Sequence, residues 1–162
     1  MKEALIYGLL ACELFVVVFV ALHDWVPLGK LNNVKAAKAA DPPGKLAIVT
    51  LLSTLPFAIG LAASVYYASS HFPTWLIWWL WISYGTALYG MLRAWWVPYL
   101  LLGDPVRAAR YQVRFEQTHA FLPTRNGIRP DTLHVCLHAV VIILVVLLGV
   151  LTFSGQGFVS GS

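Results

Sequence analysis

The residues best suited to chemistry are two histidines and a carboxylate at the start of the last apolar segment. Asp131, His134 and His138 are spaced by three and four residues, so a helix places them on one face. Imidazole and carboxylate groups bind transition metals, and one alternative is a metal at these residues or a haem at His134 and His138. The alternative we favour is that Asp131 caps the helix and the histidines lie at the depth of lipid headgroups.

The same histidines could instead transfer protons. His119, His134 and His138 are candidates for a general base, and Glu116 or Asp131 could orient them. The chain carries no phosphate-binding glycine loop, no GxSxG elbow and no HExxH motif, which are local signatures of common enzyme classes. Whether the protein is an enzyme is therefore left open by its sequence.

A further ionisable residue, Glu13, lies inside the apolar run LLACELFVVV. An ionisable side chain within the bilayer is costly to place and indicates a functional site by default. Glu13 could be protonated and hydrogen-bonded as part of helix packing, or it could serve an ion- or proton-coupled carrier. Its expected hydrogen-bond partners are polar residues near the middle of the other apolar segments: Ser53, Thr54, Ser83, Tyr84 and Thr86.

All six arginines lie between residues 93 and 131, and aromatic residues accompany the first of them. Guanidinium groups match the geometry of phosphate and carboxylate, so this set predicts a site for an anionic, amphipathic ligand such as a phospholipid. Simple anchoring at a membrane surface is the competing explanation. The predicted ligand-binding residues are Arg93, Trp95, Trp96, Tyr99, Arg107, Arg110, Arg114, Arg125 and Arg129.

The elements that must position these residues are apolar helices. Of the 162 residues, 59% are hydrophobic and 11% are charged, and the mean hydropathy is +0.74, whereas soluble domains are about 25% charged. Four segments approach the roughly 20 apolar residues that cross a bilayer. We therefore predict one all-α domain over residues 1–162, an integral membrane four-helix bundle. Its spans are residues 4–22, 46–67, 74–97 and 133–153.

The distribution of basic residues predicts the orientation of these spans. Segments 23–45 and 93–131 hold ten of the eleven lysines and arginines, and Lys2 is the eleventh. Because cytoplasmic loops are enriched in Lys and Arg, we expect loops 23–45 and 98–132 in the cytoplasm and both termini outside. The bilayer is then the principal partner, with a membrane protein or a second copy as further candidates. Nucleic acid is excluded as a partner, because no soluble domain presents the basic surface.

The second long loop has its own helix signals. Asp104 followed by Pro105 is a typical helix start, and apolar and basic residues then alternate as in an amphipathic helix. We expect this helix to lie in the cytoplasmic membrane interface and to end at Leu122-Pro123, before an Asn126-Gly127 turn.

The function that follows is binding of an anionic lipid-like ligand, or a role as accessory subunit of a larger membrane complex. One alternative is a small enzyme acting on a lipid-like substrate through His119, His134 and His138. The other is an ion- or proton-coupled carrier using Glu13.

Overall fold

The computed structural model describes residues 2–154, and the predicted outer tail after residue 154 lies outside this range. Over the described residues the chain is all-helical, with 76% helix and no strand. The helices are α1 (Lys2–Leu22), α2 (Val34–Ala40), α3 (Pro43–Tyr67), α4 (Thr74–Met91), α5 (Val97–Leu100), α6 (Pro105–Phe115) and α7 (Thr132–Phe153).

Three of these helices are long and apolar enough to cross a membrane: Glu3–Leu22, Pro43–Tyr67 and Thr132–Phe153. Their length and composition are those of a multi-pass membrane protein. α4 is not in this set because tryptophan and tyrosine have low values on hydropathy scales, and its many tryptophans and tyrosines lower its mean hydropathy. These rings are nevertheless typical of the ends of membrane helices.

The core lies where α1 contacts α3 and α7, and where α4 contacts α7 and α3. Its side chains are mainly aliphatic, and between membrane helices such side chains stabilise the fold through van der Waals packing. The most completely buried members are Leu9, Val16, Leu76, Leu80, Tyr84, Leu144 and Leu148.

The third apolar segment continues as a helix beyond its predicted end. A π-helical turn over Leu92–Trp96 connects α4 to α5, which contains Pro98 and ends at Leu100. Pro98 has no N–H to donate to the carbonyl of Ala94. That carbonyl instead accepts hydrogen bonds from the Arg107 guanidinium at 3.1 Å and the Tyr111 hydroxyl at 3.3 Å. Side chains of α6 thus replace the lost bond, and the helix continues to Leu100, three residues beyond the predicted span 74–97.

α6 begins as predicted and ends early. The Asp104 side chain accepts a hydrogen bond from the Arg107 backbone N–H, which confirms the predicted N-cap. The helix ends at Phe115 rather than at Leu122. Its end is fixed by Arg129, whose guanidinium donates to the backbone carbonyls of Phe115, Glu116 and Thr118.

The segment between α6 and α7 turns where the sequence predicts. Asn126 and Gly127 both have positive φ, 51° and 75°, and they join the bridged residues Arg125 and Ile128. A Cβ added at Gly127 would lie 2.9 Å from the Cβ of Ala108. Both the backbone conformation and the close approach of α6 therefore favour glycine here.

The two long loops meet at one end of the long helices, which we call the loop end. The backbone N–H of His119 donates to the carbonyl of Lys30 at 2.6 Å. Asn32 orders the first loop, because its amide donates to the carbonyls of His23 and Val26 at 2.6 and 2.7 Å. Trp25 then donates its indole N–H to the Thr50 hydroxyl. These bonds connect α1, the first loop, α3 and the second loop.

Candidate functional site

The first candidate site is built on Asp131 and His134 at the start of α7. One carboxylate oxygen of Asp131 accepts the backbone N–H of His134 at 3.0 Å, which confirms the predicted cap. The other oxygen lies 2.7 Å from Nδ1 of the His134 ring. Because Asp131 is 1% exposed, this contact is shielded from water. In the neutral ring the proton lies on Nδ1, and Nε2 is an acceptor.

Aromatic rings enclose the His134 imidazole on several sides. The ring centroid distances are 4.9 Å to Trp95, 5.1 Å to Phe115, 5.7 Å to Phe19 and 5.8 Å to His23. These rings come from α1 and the turn that follows it, from the π-helical turn and from α6. Packing from three parts of the chain therefore holds the imidazole in addition to its hydrogen bond.

The π-helical turn directs two consecutive tryptophans toward α7. Trp95 packs on His134, and the Trp96 ring lies 5.9 Å from the His138 ring. A π-helical turn adds a residue to the helix and is frequent at functional sites. His138 is buried by these contacts, and its Nδ1 atom has no hydrogen-bond partner within residues 2–154.

Of the three residues proposed as metal ligands, Asp131 and His134 form a hydrogen-bonded helix cap. Among residues 2–154, no group of three or more His, Cys, Asp or Glu side chains is positioned to hold a metal ion. His134 and His138 have ring centroids 6.3 Å apart, and Asp131 occupies Nδ1 of His134. The His23 and His134 rings are in edge contact at an interplanar angle of 86°.

The other catalytic candidates lie apart from this pocket. His119 is exposed, and its Nδ1 atom lies 2.7 Å from the Thr132 hydroxyl. Glu116 is also exposed. The structure therefore brings Asp131, His134 and His138 together and leaves His119 and Glu116 outside their cluster.

The arginines of the predicted ligand site make separate contacts in the structure. Arg107 and Arg114 each contact a carboxylate: Arg107 meets Asp104 at 3.1 Å, and Arg114 meets both oxygens of Asp24 at 2.8 and 2.9 Å. Arg129 is the cap of α6 described above. These three side chains make contacts within the protein that organise the loop end.

The remaining predicted ligand-binding residues also take different positions. Arg93, Arg110 and Arg125 are exposed, whereas Trp95 and Tyr99 are buried in a small core with Ile128. The Tyr99 hydroxyl donates to the carbonyl of Pro123 at 3.2 Å. Trp95 and Tyr99 thus hold the second loop in place.

A groove between α2 and α6, which we call the basic groove, gathers part of the arginine set. It is open, with a volume of about 830 Å³. Four cations and one carboxylate lie among small apolar residues. The lining residues are Ala36, Ala40, Asp41, Lys45, Arg107, Ala109, Arg110, Tyr111, Val113 and Arg114.

Local contacts fix the charges around the basic groove. The Lys45 ammonium lies 2.7 Å from Asp41 and lowers the pKa of that carboxyl. The backbone N–H and guanidinium of Arg107 lower the pKa of Asp104. Both carboxylates are therefore charged at neutral pH. Arg110 makes no hydrogen bond within the described part of the chain, so its full charge faces the groove.

Charge and burial also act on the residues beside His134. Burial lowers the pKa of His23, an effect that the charge of Asp24 partly offsets. Burial would raise the pKa of Asp131, but hydrogen bonds from the His134 ring and backbone N–H hold it below its ordinary value. Asp131 is therefore a carboxylate at neutral pH, and His23 is neutral.

Glu13 lies elsewhere, in the middle of the helix core. It is 0% exposed, and one of its oxygens accepts a hydrogen bond from Ser64 at 3.2 Å. Its second oxygen and the hydroxyl of Tyr84, also buried, have no partner within residues 2–154. Ser64 was not among the expected partners, because α3 is displaced along α1 and therefore brings a residue nearer its C-terminal end to the level of Glu13. The Trp25–Thr50 hydrogen bond sets this register.

Asp24 was not predicted as a member of the first site, nor were Lys45 and Asp41 predicted as members of the basic groove. The Asp24–Arg114 contact joins residues distant in the chain, whereas the Asp41–Lys45 ion pair is an i,i+4 contact that the sequence does show. Comparison with family models, with curated proteins and with solved structures finds no match to this chain.

Proposed function

We propose that this protein crosses the membrane four times and binds an anionic, amphipathic ligand in the basic groove. The long helices form a four-helix bundle, the loop end faces the cytoplasm and both termini lie outside. The observation that carries the proposal is the composition of the groove. Four cations line it beside alanine and valine side chains. Lys45, Arg107 and Arg114 contact carboxylates, whereas Arg110 makes no ion pair within residues 2–154. This composition suits a phosphate or carboxylate attached to an apolar chain.

The fourth crossing in this proposal is the helix from Thr74 to Leu100. Its 27 residues, α4 with 18, the π-helical turn with 5 and α5 with 4, extend about 40 Å at 1.5 Å per residue. That length exceeds the roughly 30 Å of the hydrocarbon core. Contacts with α3 and α7 support its place in the bundle.

The exposed side of α6 supports a location in the membrane interface. Val106 and Val113 lie on one helix face and are 69% and 75% exposed, and nearby Leu101 and Leu102 are also largely exposed. The opposite face packs on the core around Trp95. An amphipathic helix with exposed valines beside arginines lies stably with its apolar side in lipid, and this position brings the basic groove to the level of anionic headgroups.

The proposal is tested by lipid binding to the purified protein in a neutral detergent. We expect phosphatidylglycerol to bind more tightly than phosphatidylcholine, as detected by native mass spectrometry. Each basic side chain near anionic lipid contributes about 1 kcal/mol, so Arg110→Gln should weaken phosphatidylglycerol binding about fivefold. Arg125→Gln is the matched control, because Arg125 is exposed on the same loop but does not line the groove. Equal losses from the two variants would refute the proposed site.

A further inference from the structure

A second pocket lies beside His134 and is very small. Its free volume is about 10 Å³, which is the room of one water molecule or one hydroxyl group. Polar side chains from the turn after α1, the first loop, α6 and the start of α7 surround it. The lining residues are His23, Asp24, Leu31, Asn32, Asn33, Arg114, Phe115, Asp131, Leu133 and His134.

An apolar groove of about 190 Å³ adjoins this pocket on the outer side of α1. His23 and Leu133 line both cavities, so the groove and the pocket adjoin at these two side chains. Apart from His23, the groove is lined by apolar side chains: Phe15, Val18, Phe19, Leu22, Val26, Leu28 and Leu133. Together the two cavities suit a molecule with a hydrocarbon chain and a small polar end.

The charges in the pocket favour a neutral polar end. The Arg114 guanidinium already contacts both oxygens of Asp24, and Asp131 adds a second carboxylate. No unpaired cation therefore faces the pocket, and a phosphate or carboxylate would meet two carboxylates there. In this respect the pocket differs from the basic groove.

His134 offers the hydrogen-bonding group that would select the ligand. Nδ1 faces the Asp131 carboxylate at 2.7 Å, so in the neutral ring Nε2 accepts a hydrogen bond. No hydrogen bond to Nε2 occurs within residues 2–154. We propose that the pocket and the apolar groove bind a long-chain alcohol, a neutral lipid whose single hydroxyl donates to Nε2 of His134.

This inference predicts a preference between two nearly identical ligands. Hexadecanol can donate a hydrogen bond to Nε2, whereas its methyl ether cannot and would leave the acceptor unsatisfied. We expect the alcohol to bind one-to-one and about tenfold more tightly than the ether, as measured by native mass spectrometry at graded ratios of ligand to detergent. Equal binding of the two ligands would overturn the inference.

Asp131→Asn is the sharpest variant, because Asp131 is a positioning residue. Asparagine is a good N-cap, and its amide oxygen can keep the bond to the backbone N–H of His134. The amide N–H₂ then faces Nδ1 and donates to it, which moves the ring proton to Nε2. Nε2 now donates to either ligand, so the preference for the alcohol should fall from about tenfold to about twofold or less. An unchanged preference would contradict the role assigned to Asp131.

Control variants distinguish an effect on this site from loss of folding and from an effect on the basic groove. Val18→Trp fills the apolar groove and should reduce alcohol binding about tenfold, whereas Val146→Trp places the same side chain on an exposed part of α7 and should leave it unchanged. His119→Ala should also have no effect. Because the two sites are separate, Arg110→Gln should weaken anionic lipid binding and leave alcohol binding intact. Equal effects of Val18→Trp and Val146→Trp would refute the proposed groove.

Discussion

The Asp24–Arg114 ion pair is expected to couple α1 to the second loop across 90 residues of sequence. One guanidinium nitrogen lies 2.8 and 2.9 Å from the two carboxylate oxygens, and the side chains are 16% and 31% exposed. Two charges about 4 Å apart attract by about 4 kcal/mol at an effective dielectric constant of 20. Desolvation offsets much of this attraction, whereas fully exposed pairs contribute about 0.2–1 kcal/mol. We therefore expect a coupling free energy of about 1–2 kcal/mol.

A double-mutant cycle measures this coupling directly. Asp24→Asn, Arg114→Gln and the double variant would be unfolded by denaturant in detergent, with tryptophan fluorescence as the signal. Each single variant should lose about 1–2 kcal/mol, and the double variant should lose less than the sum. Half-buried pairs are screened less than exposed ones, so most of the coupling should persist in high salt.

The matched control cycle pairs Asp24→Asn with Arg110→Gln. Arg110 lies one turn away on α6 and makes no hydrogen bond in the described part of the chain, so its coupling to Asp24 should be close to zero. A coupling below about 0.3 kcal/mol for Arg114, a value within the usual deviation from additivity, would refute the reasoning. So would a coupling equal to that of Arg110.

Three further predictions concern stability. Trp95→Ala should lower the free energy of unfolding by about 3–5 kcal/mol, because it leaves a cavity in the loop-end core. Trp78→Ala, on the exposed side of α4, should lower it far less. Similar losses in the two variants would contradict the packing described. Glu13→Gln should change stability by less than about 1 kcal/mol, because the neutral amide can still accept from Ser64, and a loss above about 3 kcal/mol would indicate a required charge. In a pH series of unfolding midpoints, stability should fall in two steps. The pKa of His23 is depressed, so the unfolded chain takes up protons first and stability falls as the pH drops below 6.5, the ordinary pKa of histidine. The depressed pKa of Asp131 causes a further fall as the pH drops below 3.8, the ordinary pKa of aspartate. His23→Gln should remove the upper step, and a step that persists in that variant would contradict its origin.

Local signals predicted the helix starts well. The Asp104 and Asp131 caps and the Asn126-Gly127 turn depend on residues within three positions of one another, so their chemistry can be read from short stretches. Long apolar runs identified α1, α3 and α7 for the same reason. The end of α6 was missed because its stop depends on Arg129, which lies 14 residues beyond Phe115 and folds back to its carbonyls.

The candidate sites were less predictable because their contacts cross between elements. The spacing on α7 placed Asp131 beside His134, yet nothing in the sequence indicated that Asp24 pairs with Arg114. The partner of Glu13 depends on how far α3 is displaced along α1, and that register follows from the path of the first loop. Composition alone also made the arginines look like one group. In the structure, hydrogen bonds assign Arg129 to a cap and leave Arg110 facing the basic groove.

The binding of an anionic lipid in the basic groove is tested most directly by photocrosslinking. Phosphatidic acid with a diazirine near its headgroup would be added to the protein in neutral nanodiscs, and the labelled peptides would be mapped by mass spectrometry. We predict adducts concentrated in residues 34–45 and 105–115, competed by unlabelled phosphatidylglycerol and reduced by Arg110→Gln. Adducts spread evenly over the lipid-facing residues of α3, unaffected by that variant, would contradict the proposed function.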